Sequence, residues 1–372
     1  MITKFSVSNF KNFKNKLTFD LNKSKNYEFN TNCVDNGTIK KALIYGHNGV
    51  GKSNLGFAMF DIVSHLTDKT ASKEIYKNYI NAANSKDTIA EFKYEFNFNG
   101  ISLIYEYGKT DVETLVYENL KINNSDYASI DRRNNNTASF NAKGTENLQT
   151  DIGKSKISIL TYIKKNSVLT DSIENECFFS FIEYINGILF FRSLEQNNYI
   201  GFEQGVRGIA ADIIEHDNIE DFQGFLNEAG IDCKLRRIED VNTPSLAFDF
   251  NGNLINFYEI ASQGTKALSL FYYWFQRLRE KDSLVTFLFI DEFDAFYHHT
   301  LSALIVKKLC DINAQVVLTT HNTSIITNDL MRPDCYFLLN HDGLHSLADR
   351  TPKELRKAHN IEKMYKAGAF NG

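Results

Sequence analysis

Residues Gly46–Asn54 read GHNGVGKSN. A short apolar run, KKALIY, leads straight into this stretch. The segment after it, NLGFAMFDIVSHL, places Leu55, Met59, Ile62, Val63 and Leu66 on one face at helical spacing. The stretch therefore fits G-x-x-x-x-G-K-[ST] between a strand and a helix, the setting in which that pattern has a mechanical meaning. Glycines let the chain curl so that successive N–H groups face one anion, and the start of the helix adds its positive end. Gly46, His47, Asn48, Gly49, Val50, Gly51, Lys52, Ser53 and Asn54 are accordingly candidate binding residues for a nucleoside triphosphate. Lys52 is expected to reach the outer phosphates and the Ser53 hydroxyl to bind Mg²⁺.

Two further runs fit the same site. LVTFLFIDEFDAF is an apolar strand ending in Asp291 and Glu292. A carboxylate at the carboxyl end of a parallel strand is placed to hold Mg²⁺, the role expected of Asp291. Strand side chains alternate, so Glu292 is expected to point elsewhere, towards the γ-phosphate, and to act as general base on the attacking water. AQVVLTTHN is a second buried strand, ending in His321, which is placed to contact the γ-phosphate. Such unbroken apolar runs suit strands covered on both faces of a parallel sheet.

A third run, ASQGTKALSLFYYWF, opens a helix at Ser262, a natural N-cap. Gly264 lets backbone amides approach an anion. A second helix start suited to phosphate is redundant within one nucleotide site, and makes sense if Ser262, Gln263, Gly264 and Thr265 meet the γ-phosphate held by another copy of the chain.

The order GHNGVGKSN, SQGTKAL, FLFIDEFDA, LTTHN resembles the ABC-type ATPase heads of SMC, Rad-type and RecF-like repair proteins. Gln263 and Thr265 depart from the Gly and the Gln or Glu usual in the signature of that class. The C-terminal run RPDCYFLLNHDGLHSLADRTPKELRKAHNIEKMYKAGAF narrows the resemblance to the compact AAA-family ATPases of bacterial anti-phage (abortive infection) systems that pair with a TOPRIM nuclease. The resemblance implies an α/β P-loop NTPase fold, an ABC-type head with an antiparallel β subdomain and a helical insertion lobe. It implies ATP and Mg²⁺ as ligands, catalytic roles for Glu292, His321 and Lys52, metal contacts from Ser53 and Asp291, and a place for Asp294 in the loop that crosses the dimer interface. It also implies a homo-oligomer, dimer or higher, and a separate effector of the TOPRIM nuclease type. The glutamine loop usual in such heads is not identifiable. A RecF/SMC-like DNA repair ATPase is the alternative; a transporter subunit fits the Thr265 signature poorly.

The rest of the 372 residues supports this organisation. KFSVSNFKNF and NKLTFDL read as a strand pair, and residues 88–122 alternate as an antiparallel meander. The polar run NNSDYASIDRRNNNTASFNAKGTEN reads as a loop or hairpin tip. DSIENECFFSFIEYINGILFF and GVRGIAADIIEHDNIEDFQGFLNEAG read as helices, giving a division into 1–150, a helical insertion over 151–235, and 236–372. Net charge is −5, so no global basic field draws in nucleic acid. Arg350–Lys366 is locally basic, which leaves nucleic acid as a possible partner, although a solvated helix face is the simpler reading. His298 and His299 read as surface residues. The 30 Phe and 18 Tyr are spread through the chain and read as core. Five scattered cysteines suit reduced thiols. No run reaches the roughly 20 apolar residues of a membrane helix, and a cytoplasmic location is expected.

Overall fold

The computed structural model describes residues 1–67, 69, 76–84, 87–153, 155–192, 198–201, 209–240 and 243–370. The N-terminal part comprises β1 (Ile2–Ser8), β2 (Leu17–Asp20), the short β3 (Val34–Asp35) and β4 (Thr38–Ile39), β5 (Lys41–Tyr45), α1 (Lys52–Phe60) and α2 (Val63–Leu66). The meander follows as β6 (Ala90–Phe98), β7 (Ile101–Lys109), β8 (Leu115–Ile122), β9 (Ser125–Asp131) and β10 (Ser139–Phe140). Next come α3 (Ile159–Asn166), α4 (Ile173–Asn186), β11 (Ile188–Arg192), β12 (Asn198–Gly201), α5 (Ile209–Glu215) and α6 (Ile219–Glu228). A hairpin sheet of β13 (Leu235–Asp240), β14 (Thr243–Phe250) and β15 (Asn253–Asn256) leads through α7 (Phe257–Ile260) into α8 (Gln263–Arg279). The chain ends with β16 (Phe287–Asp291), α9 (His299–Cys310), β17 (Gln315–Thr320), β18 (Tyr336–Asn340), β19 (Gly343–Ser346) and α10 (Ile361–Lys366).

Two seven-stranded sheets carry the fold. One is antiparallel, in the order β10-β9-β8-β7-β6-β1-β2. The other has the order β12-β11-β16-β17-β5-β18-β19, and its five inner strands run parallel. Every residue of β5, β16 and β17 is buried, as the unbroken apolar runs require. In β6 the apolar residues alternate with more exposed ones, and the inward set forms an aromatic stack, with Phe92 and Tyr107 rings 4.9 Å apart. Gln315 stitches the two sheets together. Its amide nitrogen donates to the carbonyls of Ile2 (2.9 Å) and Ile39 (3.1 Å), and its oxygen accepts from the Ile2 N–H (3.0 Å) and the Tyr184 hydroxyl (2.7 Å). A buried amide with all these bonds made fixes the register between layers.

Three sequence expectations are corrected. The polar run after residue 122 holds β9, which continues the meander against β8; its Tyr127, Ala128 and Ile130 are buried. The run ending INGILFF is not helical throughout. Helix α4 stops at Gly187, and β11 pairs in parallel with β16 from Ile188↔Phe287 to Arg192↔Asp291. A continuous apolar run has no period to separate helix from strand, and only Asn-Gly marked the change. The stretch 151–235 is therefore not a purely helical insertion, because it contributes two strands, β11 and β12, to the main sheet. Helix α1 also breaks at Asp61, with Val63 and Leu66 continuing the buried face on α2. The residues 205–208 that open the second expected helix lie outside the described residues.

Candidate functional site

The site lies where three neighbouring parallel strands end. β5 runs into the phosphate loop, β17 ends one residue before His321, and β16 between β11 and β17 ends at Asp291. The loop turns through left-handed backbone at Gly49 (φ 83°) and Gly51 (φ 106°), a region that costs a side chain energy but not glycine. Gly51 is the N-cap of α1, and no side chain caps that helix. Its first N–H groups are left for an external acceptor, which suits a phosphate. His47, Asn48 and Gly49 are exposed at the mouth.

Lys52 is buried and folds back over the loop, donating to the carbonyls of Gly46 (2.8 Å) and His47 (3.2 Å). Its ammonium also stands 3.5 Å from Glu292 Oε1. On the other side, His321 Nδ1 lies 3.1 Å from Glu292 Oε2. Glu292 is thus held between the loop lysine and the histidine at the tip of the next strand. Strand alternation is not what aims it. The strand has ended at Asp291, and Glu292 adopts φ 47°, a left-handed conformation uncommon for a non-glycine residue. Its N–H donates to Thr319 Oγ1 (2.8 Å), which secures the turn. Backbone strain of this kind, held by its surroundings, is a mark of functional positions.

Asp291 accepts from the Thr319 hydroxyl (2.7 Å), and the nearby hydroxyl of Ser53, the residue after Lys52, favours its charged form. Burial pushes its carboxyl above the ordinary range, and the neighbouring Glu292 charge adds to this against the Ser53 and Thr319 hydroxyls and Lys52. At low pH the group is neutral folded and unfolded. As pH rises through its raised folded value the native state acquires a desolvated charge and loses stability. A cation beside Asp291 and Ser53 would offset that cost, and a carboxylate with a hydroxyl is a donor pair suited to Mg²⁺. Asp291→Asn is expected to raise the melting temperature of the nucleotide-free protein by a few degrees near neutral pH, and to abolish any further rise on adding Mg²⁺ with nucleotide. Differential scanning fluorimetry with and without EDTA checks both.

Asp294 does not project outwards. It is buried and accepts from the Thr320 hydroxyl at 2.8 and 2.9 Å, so its side chain orients the Thr320–His321 turn from inside. The paired threonines Thr319 and Thr320, one on each carboxylate, were legible in LTTHN but are not among the residues singled out from sequence. Asn12 was also missed. The β1–β2 connection turns tightly between Phe10 and Phe13, and Asn12 there donates to the Val50 carbonyl (3.0 Å) and accepts from the Asn54 side chain (2.7 Å). It braces the loop against the first turn of α1.

The Ser262 run stands apart from this cluster. Ser262 caps α8, accepting from the Thr265 N–H at 3.1 Å, with its hydroxyl 2.8 Å from Thr265 Oγ1. Ser262 and Gln263 are exposed, whereas Thr265 is buried and spends its hydroxyl on the cap. Gly264 sits against the segment after Asp294: a Cβ there would lie 3.1 Å from the Phe296 carbonyl oxygen. Its smallness therefore serves packing inside the chain. The C-terminal run is docked, not free: Leu355, Ile361 and Phe370 are buried and Tyr365 packs on Tyr45, the last residue of β5 (5.1 Å). His298 and His299 are exposed, and among the described residues no group of three His, Cys, Asp or Glu is placed to hold a metal ion.

A family model described as "AAA domain, putative AbiEii toxin, Type IV TA system" matches residues 41–327, from the first residue of β5 past His321. The chain belongs to this family. Its fold is that of an AAA-type P-loop domain, with the glycine loop between the first strand of the parallel sheet and α1. Among solved structures it is similar to the SMC head domain from Thermotoga maritima, at 14% identity over 95% of this chain and 99% of that one, with a TM-score of 0.44. It is also similar to an SMC head bound to the C-winged helix domain of ScpA (16%, 94% and 99%, 0.48). An SMC head with an extended coiled coil, bound to the C-terminal domain of ScpA derived from Pyrococcus furiosus, is a third (12%, 94% and 97%, 0.45). No curated protein matches the sequence. No helix among the described residues is long and apolar enough to cross a membrane.

Proposed function

We propose that the chain binds ATP with Mg²⁺ and hydrolyses it slowly as a cytoplasmic switch, two copies pairing head to head over the nucleotide. The observation that carries this reading is the Lys52–Glu292–His321 chain, 3.5 and 3.1 Å long, spanning the ends of three parallel strands. In this reading the amides of Gly46–Asn54 and the Lys52 ammonium hold the phosphates, and Ser53 and Asp291 hold the metal, which when bound neutralises phosphate charge. The Lys52 ammonium exchanges its carbonyl partners for phosphate oxygens. That releases Glu292 Oε1 to take a proton from an attacking water, while His321 steadies Oε2.

The Ser262–Thr265 helix start supports the pairing. It is capped by Ser262 through the Thr265 N–H, and its tip is exposed at Ser262 and Gln263, so the amides at that tip suit the nucleotide of a facing copy. The family's toxin–antitoxin description supports an anti-phage role in which ATP-dependent closure controls a separate effector, for which a TOPRIM-type nuclease is the proposed partner. The test is subunit mixing. Lys52→Ala and Ser262→Arg proteins are each expected to be inactive. Mixed one to one, half the dimers are heterodimers with one intact composite site, so ATPase activity should return to roughly a quarter of wild type. If activity stays at the level of the separate variants at every ratio, the shared-site proposal is wrong.

A further inference from the structure

The ends of the parallel strands opposite the phosphate loop hold a cluster of thiols. Cys33 closes a short 3₁₀ turn before β3, Cys310 ends α9, and Cys335 ends another 3₁₀ turn before β18. All three are buried and reduced. Cys33 Sγ lies 3.9 Å from Cys310 Sγ, and the Cys335 thiol, 3.8 Å from Asp334 Oδ1, is close enough to act on the Cys33 thiol. Lys41, the first residue of β5, is buried beside them and donates to the carbonyls of Ile312 (2.8 Å) and Ala314 (2.7 Å). Asn32 already ties the two segments, donating to Asp311 Oδ1 at 3.2 Å.

We infer that Cys33 and Cys310 form a site of reversible peroxide oxidation, closing a disulfide between the segment before β3 and the end of α9. The sulfurs must approach from 3.9 Å to about 2.05 Å, within two segments that Asn32 already tethers. The chemistry balances with hydrogen peroxide as oxidant. Cys33 thiolate attacks one peroxide oxygen, the O–O bond breaks, and the departing hydroxide takes up a proton to leave as water. Cys310 then attacks the sulfenic sulfur as its thiol proton passes to the sulfenic oxygen, the S–O bond breaks, and a second water leaves. In all, two thiols and one peroxide give one disulfide and two waters.

Cys33 is the nucleophile of the pair. The Cys310 thiol 3.9 Å away, with the Cys335 thiol, the Lys41 charge and the Arg332 N–H, pulls the Cys33 thiol below its ordinary range against the cost of burial. The same contact and burial push Cys310 up. A thiol of lowered pKa with a second thiol at hand oxidises selectively once solvent reaches it. Cys310 is 6% exposed whereas Cys33 and Cys335 are fully covered, so oxidation requires the side chains over Cys33 to part.

The test treats the full chain with hydrogen peroxide, blocks free thiols with N-ethylmaleimide and maps non-reducing digests by mass spectrometry. Reactive thiols should fall from five to three, with Cys33 and Cys310 peptides linked and the count restored by dithiothreitol. In a Cys310→Ser chain, dimedone should instead trap sulfenic acid at Cys33. ATP affinity should change less than about twofold on oxidation, since the cluster and the phosphate loop sit at opposite ends of β5. Oxidation confined to the more exposed Cys233, or a link from Cys33 to Cys335, would overturn the inference.

Discussion

A Glu292→Gln protein is expected to turn over ATP about 10²- to 10⁴-fold more slowly than wild type and to bind it at least as well. The substitution is nearly isosteric. It keeps the contact to His321, and the backbone anchor is the Glu292 N–H to Thr319 Oγ1, which the side chain does not affect. What is lost is a carboxylate able to accept a proton, and a negative charge 3.5 Å from the Lys52 ammonium. Removing that charge frees Lys52 for phosphate oxygens, so binding should not weaken. Steady-state phosphate release and equilibrium titration with a fluorescent ATP analogue separate the two effects. A loss of binding comparable to the loss of turnover would mean that Glu292 holds the loop together and is not the base.

Breaking the Asp61–Lys109 pair should cost more stability than any other single change considered. The two charges are 2.9 Å apart and neither has exposed side-chain surface. The Asp61 oxygens also accept from the hydroxyls of Tyr79 (2.9 Å) and Tyr107 (3.0 Å), and Lys109 donates to Ser64 Oγ (2.8 Å) and the Val112 carbonyl (3.1 Å). Burial pushes the Lys109 ammonium down and Asp61 pulls it back up, so the cation depends on its partner. Lys109→Met leaves a carboxylate desolvated without a counter-charge, which typically costs about 3–5 kcal/mol. The Asp61→Asn/Lys109→Met double variant should recover part of that, because the two changes are coupled. Urea unfolding of the four proteins measures the cycle; a single-variant loss below about 1 kcal/mol would contradict the account. Asp61 directly follows α1, whose first turn opens the phosphate loop, and Lys109 ends β7. The pair therefore anchors the far end of the nucleotide-facing helix to the meander.

The phosphate loop and the two carboxylate- and histidine-tipped strands were legible because their chemistry is local. GHNGVGKSN needs its own glycines, and LVTFLFIDE and AQVVLTTH announce strands buried on both faces. β11 was not legible, since ILFF after a helix has no period to mark the change and its assignment rests on pairing with β16. Asn12 was hidden for a related reason. Its role comes from a turn between Phe10 and Phe13 that places it beside a loop some 40 residues on, which no local pattern encodes. Asp294 was placed by family pattern in a loop that crosses a dimer interface, and its bond to Thr320 is a contact that no local pattern encodes. Glu292 was expected to be aimed by strand alternation, whereas left-handed backbone after the strand end sets its direction.

The most direct measurement is the mass of the Glu292→Gln protein in solution, by sedimentation velocity, with Mg²⁺ and saturating ATP and again with ADP. Two copies sealing each other's nucleotide with the Ser262 helix start predict a dimer with ATP and a monomer with ADP, since only the γ-phosphate bridges the two chains. A protein that stays monomeric with ATP bound would contradict the account.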